Sequence, residues 1–439
     1  MKDEREINYL LPFITLVILF FFVGFLTTAN GQFQAPLKAV FLSNAGDLQN
    51  TFATLITFSW FMAYPLTGGT GAKWVTKYGY KHTLIQAILL LIAGLSVFWL
   101  SSIFTITFPE SKFSIGSAII PWGFVIFLIG SYTVGAAATI LQVVINPYLT
   151  ACNVKNTQPV QRLNIGGSAN SVGTTLAPFF VTGIVFGGLS MDQVRIEQIQ
   201  SSFLVLMAVF AIVMFVLTKI KMPDIEGTTA AQGEKLEKSV WSFSHLTLGV
   251  VGIFFYVGIE TCVGANINLY AIEQINSGTS LSFFGLDSLT IGGINFAIPA
   301  LMATLYWGGM LVGRLVSSSL NKISPNTQLA FAATIAFLLA VGAIIADNPW
   351  LLVAVGLFHS VMWGSIFTLA INKLGKYTSV ASGTIMIGVL GGALLPLFQG
   401  VFADAMGGAW RWTWTIVVVG ELYILYYALL GSRVKQSAE

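Results

Sequence analysis

Long apolar runs separated by short polar segments set the architecture of this chain. About 20 apolar residues wound as a helix cross the hydrocarbon core of a bilayer. Twelve such runs are legible, at roughly 9–36, 50–72, 82–103, 120–150, 164–188, 201–220, 245–271, 294–316, 327–346, 350–372, 380–403 and 412–431. The pattern predicts an all-α membrane protein of twelve transmembrane helices. A membrane β-barrel would show short segments of alternating apolar and polar residues instead. The opening "MKDEREINYL" has no small-residue cleavage pattern behind a short apolar core, so the first helix is expected to be retained rather than removed as a signal peptide.

The longest polar interruption, "KIKMPDIEGTTAAQGEKLEKSVWSFSH" from Lys219 to His245, parts six predicted helices from six. The expected organisation is a first half over 1–218, a linker over 219–244 and a second half over 245–439. Two local matches relate the halves. "FFFVGFLT" (20–27) matches "FFYVGIET" (254–261), and "ILQVVIN" (140–146) matches "IFTLAIN" (366–372). Duplicated helical units with a binding site between them near the middle of the membrane are a common plan of secondary transporters.

Composition agrees with a bilayer as solvent. The chain is 55% hydrophobic and 9% charged, with a mean hydropathy of +0.80. Such a chain does not fold around one soluble core. If both termini are cytoplasmic, all but four of the 21 Lys and Arg fall on the inner side; Lys38, Lys112, Arg195 and Arg411 are the exceptions. Positive-inside bias therefore accounts for the net charge of +3, and no nucleic-acid partner is implied. Cys152 and Cys262 are expected to form no disulfide, and they show no metal-ligand spacing. The protease and hydrolase motifs H-E-x-x-H and G-x-S-x-G are absent, which argues against an enzyme and against a catalytic cofactor. A channel built on a ring of symmetric subunits does not suit a duplicated single chain with scattered polar groups.

Polar residues inside the predicted helices are the candidate site, because each is costly there unless it pairs or faces water. Asn30 and Gln34, Gln142 and Asn146, Asn164 and Ser168, and His359 and Trp363 are each spaced by four, so each pair shares a helical face. Amides offer both donors and acceptors to the hydroxyls of a neutral polyol, and an aromatic plane suits the apolar face of a sugar ring. The competing reading for Asn30 and Asn164 is a bridge between neighbouring helices; for His359 it is a hydrogen-bonded core residue. Pro147 reads as a kink or end of the fourth helix. Glu260 is the sharpest signal, a carboxylate in a greasy run whose counterpart in the first half is Leu26. It is expected to couple transport to a cation, either by carrying a proton or by holding Na+ with oxygens of Thr261, Asn30 or Asn266.

Several stretches are similar to one family. "FFFVGFLTTANGQFQAPLKAVF", "LQVVINPYLT", "RLNIGGSANSVG", "FFYVGIET", "YWGGMLVGR" and "GGALLPLFQGVFAD" resemble the fucose:proton symporter family of the major facilitator superfamily, above all its glucose and galactose transporter branch. The resemblance implies a major facilitator fold of two related six-helix halves and uptake of a monosaccharide, a hexose such as glucose or galactose, by Na+ or H+ symport. It implies a monomer in a bacterial inner membrane and makes Gln142 a substrate-site position. It also places the third, sixth, ninth and twelfth helices at the periphery, which would give Glu421 a packing or lipid-side role. Two departures matter. Gly31 follows Asn30 where the family commonly has Asp, and Gln142 stands where its fucose-transporting members have Glu, so protonation at these positions does not carry over and the coupling ion tilts slightly toward Na+. The basic loop after the second helix is only loosely kept, with Thr76 where an Asp is common. A passive sugar uniporter and a drug/proton antiporter of the same superfamily remain alternatives.

Overall fold

The structure is a computed structural model that describes residues 9–155, 157, 159–187, 193–223, 237–291, 294–318, 323–374 and 377–435. It is mostly helical. The first helix, α1 (Leu10–Gln32), is followed almost directly by α2 (Gln34–Phe41). The joint lies at Phe33, one turn before Pro36, whose missing N–H leaves the Gln32 carbonyl without its ladder partner, while Leu37 still donates to Phe33 at 2.9 Å. The next helical run, α3 (Gln49–Thr107), has 59 residues. A straight helix of that length would be about 90 Å long, three times the hydrocarbon thickness. It folds back at Gly79, whose φ of 75° is a conformation that only glycine adopts freely. The two arms of α3 thus match the separate helices expected at 50–72 and 82–103.

Helices α4 (Trp122–Ala151), α5 (Pro159–Phe179) and α6 (Gln198–Lys219) follow. Pro147 lies inside α4 rather than at its end, and the helix stops at Cys152, which turns to extended backbone. Beyond α5 a π-helical turn spans Phe180–Val185, closed by the Phe186 N–H donating to the Val181 carbonyl at 3.1 Å. After the linker come α7 (Ser244–Asn276), α8 (Ile298–Ser318) and α9 (Pro325–Ala346). The run expected at 350–372 is interrupted at Ser360–Val361, giving α10 (Trp350–His359) and α11 (Met362–Ala370). A 3-10 turn likewise separates α12 (Thr378–Ile385) from α13 (Gly391–Ala405). The last helix, α14 (Thr415–Tyr426), is framed by 3-10 and π-helical turns.

Among the described residues, ten helical stretches are long and apolar enough to cross a membrane. The first arm of α3 and α5 supply the other two stretches read from the pattern, and they carry more glycine, threonine and amide residues. Two short antiparallel hairpins, Lys112–Ile115 with Ala118–Pro121 and Ser288–Ile291 with Ile294–Ala297, are not foreseen by the hydrophobic pattern, and their second strands take up the starts of the runs read as helix at 120–150 and 294–316, so those helices begin at Trp122 and Ile298. Residues 1–8 and 224–236, which hold much of the expected linker, lie outside the described residues.

Apolar residues fill the spaces between helices and also cover the outside. Ile184, Phe215 and Ile345 are each more than 60% exposed, an arrangement suited to lipid and not to water. Both cysteines are free and buried.

Candidate functional site

The amides of the first six predicted helices divide into two groups by exposure. Asn30 is buried; its Nδ2 donates to the Ile56 carbonyl at 3.1 Å, and the Ser131 hydroxyl lies 2.9 Å from both its Oδ1 and that same carbonyl. Gln34 is fully buried and bonds the Thr57 hydroxyl. Asn30 thus ties α1 to α3 and α4, and Gln34 ties α2 to α3. Gln142 differs, because it is only partly buried and its Nε2 donates to the Tyr64 hydroxyl at 2.6 Å. Tyr64 in turn stacks on Phe61, with ring centroids 5.7 Å apart. An amide and two aromatic rings are therefore gathered in the interior of the bundle by α3 and α4. Asn146, one turn along from Gln142, is also partly buried. Asn164 lies in α5, but its side chain is outside the described residues.

In the second set of helices, buried amides such as Asn266 and Gln399 are joined by a cluster of ionisable groups. Glu260 is partly buried on α7, and the groups close enough to act on its carboxyl are Arg314, His359 and Tyr256. Of the groups expected to join it around Na+, the Thr261 hydroxyl donates to the Val257 carbonyl of its own helix at 2.7 Å and keeps its oxygen lone pairs, and Asn266 Nδ2 donates to Gln399 at 2.9 Å while its buried Oδ1 has no hydrogen-bond partner among the described residues. Asn30 is held by α3 and α4 as described. The Arg314 guanidinium opposes any added cation at Glu260, a proton as well as Na+.

His359 was expected to meet the substrate, yet it is fully buried with both ring nitrogens occupied. Nδ1 lies 2.7 Å from the Tyr306 hydroxyl and Nε2 lies 2.7 Å from Glu421 Oε1. Glu421 is 0% exposed, which rules out the lipid-side alternative for this residue in the twelfth predicted helix. Its place follows from local sequence. Gly309 and Gly313, four apart on α8, press against α10 near Leu357 and Ser360, and Gly356 presses back on the Tyr306 carbonyl. Small residues at such spacing let membrane helices approach closely. Trp363, one turn beyond His359 on α11, is partly buried beside Tyr256 (6.3 Å between centroids) and Phe367.

Further bonds join the first set of helices to the second, most of them at the end where α1 finishes. Gln32 donates to the Gly264 carbonyl at 2.9 Å and accepts from Asn268. Asp404, at the end of α13, accepts the backbone N–H groups of Asn50 and Thr51 at 3.0 and 2.6 Å, capping the start of α3. Within the first set, Lys38 donates to Asn50 Oδ1 at 2.5 Å beside that cap. Elsewhere along the bundle Arg314 bonds the Ser171 hydroxyl. The sequence reading missed Gln32, Tyr64, Asn268, Tyr306 and Asp404. Gln32 had a usable signal, since it stands two residues from both Asn30 and Gln34 and so must face another helix.

No family model matches the chain. It is 30% identical to a glucose/galactose transporter of Brucella abortus, covering 98% of this chain and 97% of that one. It is 24% identical to the L-fucose-proton symporter of Escherichia coli, over 91% and 88% of the two chains. Among solved structures, the E. coli fucose:proton symporter in an outward conformation superposes with a TM-score of 0.64 at 21% identity, covering 97% of this chain and all of that one. The inward-open xylose transporter of E. coli gives a TM-score of 0.67 at 13% identity, over 96% of each chain. The structural likenesses establish the fold, and the relative alike over nearly its whole length establishes the family: the chain belongs to the fucose:proton symporter family of the major facilitator superfamily, whose members are membrane transporters and not enzymes.

Proposed function

We propose that this protein is a twelve-span alternating-access carrier that takes up a monosaccharide, most simply a hexose, together with a proton. Its two six-helix halves, 1–218 and 245–439, would move about a central site with the 219–244 segment on the cytoplasmic side of a bacterial inner membrane. The observation that carries the reading is the partly exposed Gln142–Tyr64 pair beside Phe61, a neutral and aromatic surface inside a membrane bundle. That surface suits the hydroxyls and ring of a sugar and gives a lipophilic cation no counter-charge. Trp363 is the expected second wall, and Asn146 is expected to extend the amide face; Asn164 is the other amide expected there, but its side chain lies outside the described residues. Glu260 is the expected coupling group.

The named activities of relatives support the choice: glucose/galactose transport for those of Brucella abortus and Helicobacter pylori, and L-fucose-proton symport for that of E. coli. The bonds between the halves at Gln32, Asn268 and Asp404 support a conformation closed on the side where α1 finishes. The departures at Gly31 and Gln142 favour passive uniport as the second reading, since both positions that carry acids elsewhere in the family are neutral. Uptake of a panel of radiolabelled sugars into proteoliposomes, driven in turn by a proton gradient and a sodium gradient, tests the proposal. Accumulation of a hexose with the proton gradient alone is expected. Equilibration without accumulation under either gradient would establish uniport, and accumulation with sodium alone would reassign the ion.

A further inference from the structure

We propose that the buried Glu421–His359–Tyr306 chain is a second proton-binding site of this carrier, and that the Tyr306 hydroxyl passes its occupancy to α7 at Glu260. The inference rests on the proton-symport reading above. Its core is a count of protons against acceptors. The Tyr306 hydroxyl has one proton and two acceptors in reach, His359 Nδ1 at 2.7 Å and the backbone carbonyl of Glu260 at 3.2 Å. His359 Nε2 faces Glu421 Oε1 at 2.7 Å. When the histidine and carboxylate share one proton, Nε2–H donates to Glu421, bare Nδ1 accepts the Tyr306 O–H, and the Glu260 carbonyl loses that donor.

One added proton reverses the chain. If that proton goes to Nδ1 the pair stands as imidazolium and carboxylate, and if it goes to Glu421 Oε1, which then donates to Nε2, the pair stands as carboxylic acid and imidazole; in both, Nδ1 carries a hydrogen. Tyr306 must accept from it, and its own O–H is released to the Glu260 carbonyl. A single proton enters, no covalent bond other than O–H or N–H changes, and the pair goes from net negative to neutral. The switch therefore ties α8 and α10 to α7 at the residue that bears the expected coupling carboxylate.

Burial makes this proton count consequential. Tyr306, His359 and Glu421 are all 0% exposed, and Glu421 Oε2 has no hydrogen-bond partner among the described residues. A lone buried carboxylate held through one oxygen is a costly state that a proton relieves. The ionisable groups facing the chain are Glu260, Tyr256 and Cys262 from α7 and Arg314 from α8. The buried residues of α9, packed against α14, are apolar: Leu329, Ile344 and five alanines.

Infrared titration of the purified protein in lipid, paired with sugar accumulation in proteoliposomes, tests the proposal. Lowering the pH is expected to raise a protonated-carboxyl band of which Glu421→Gln removes one component and Glu260→Gln another. An unchanged spectrum in Glu421→Gln would overturn the site. Tyr306→Phe is expected to keep the Glu421 component yet accumulate sugar at least ~10-fold less than the unaltered carrier, out of the roughly 50-fold that one charge moving through 100 mV can drive. Equal accumulation in Tyr306→Phe would overturn the relay. If the unaltered carrier concentrates no sugar under any gradient, the symport reading fails by itself, while the infrared titration still decides whether the pair takes up a proton.

Discussion

Two polar regions of one bundle handle the same problem in different ways. In the first, Asn30, Gln34 and Gln142 are neutral amides, and their bonds run to carbonyls and hydroxyls of α3 and α4. In the second, Glu260, Arg314, His359 and Glu421 are ionisable, and they cluster around Tyr256 and Tyr306. Neutral amides satisfy a polyol at any pH and hold no net charge, so they suit the passenger. Ionisable groups in a dry interior change their hydrogen bonding with each proton, so they suit the driving ion. On the proposed function, binding is assigned mainly to the amides of the first set and coupling to the ionisable groups of the second, where Trp363, the proposed second wall of the sugar site, lies beside Tyr256.

The largest effect is expected from removing the exposed amide. Gln142→Ala leaves Tyr64 and the sugar hydroxyls without a partner, and sugar affinity measured by calorimetry should fall on the order of 100-fold. Affinity equal to that of the unaltered protein would move the passenger's site elsewhere. A break in the ionisable region comes next. In Gly313→Val the first added carbon would collide with the Ser360 hydroxyl and the Leu357 carbonyl. Forcing α8 and α10 apart should cost about 2 kcal/mol, seen as a lower melting temperature, and should weaken accumulation more than binding.

Trp363 sharpens the meeting point. Trp363→Ala should lose about 1 kcal/mol of sugar binding and Trp363→Phe clearly less, because a ring remains to stack; equal losses in calorimetry would remove the stacking role. The smallest change is expected at Asn30, whose bonds all run to its own neighbours. Asn30→Ala should lower stability by about 0.6 kcal/mol, the common size of an interhelical hydrogen bond in a membrane protein. Sugar affinity that drops as far as in Gln142→Ala would return Asn30 to the binding site.

Periodicity made the helices legible because the bilayer imposes one length and one polarity on every span. The 3-10 and π-helical turns, the break at Ser360 and the two hairpins were not legible, since each depends on what packs beside it. Gly79, by contrast, sits in a visibly basic turn between two apolar runs. Within the site, the four-residue spacing showed that His359 and Trp363 share a face, but it did not show that Glu421 and Tyr306 would occupy both imidazole nitrogens. Pairing across helices far apart in the chain leaves no periodic trace. The carboxylate of Glu260 was legible as an anomaly in "FFYVGIET"; its neighbours Arg314 and Tyr256 became apparent only in three dimensions.

The division of labour is tested most directly by comparing sugar exchange with sugar accumulation in proteoliposomes of Glu260→Gln. Exchange at equal concentrations on both sides needs only the amide and aromatic surface, and accumulation needs the ion. The variant should exchange sugar at close to the unaltered rate, while its accumulation under a membrane potential of about 100 mV falls from roughly 50-fold to none. Accumulation that survives in Glu260→Gln would contradict the account and leave the carboxylate with a structural role alone.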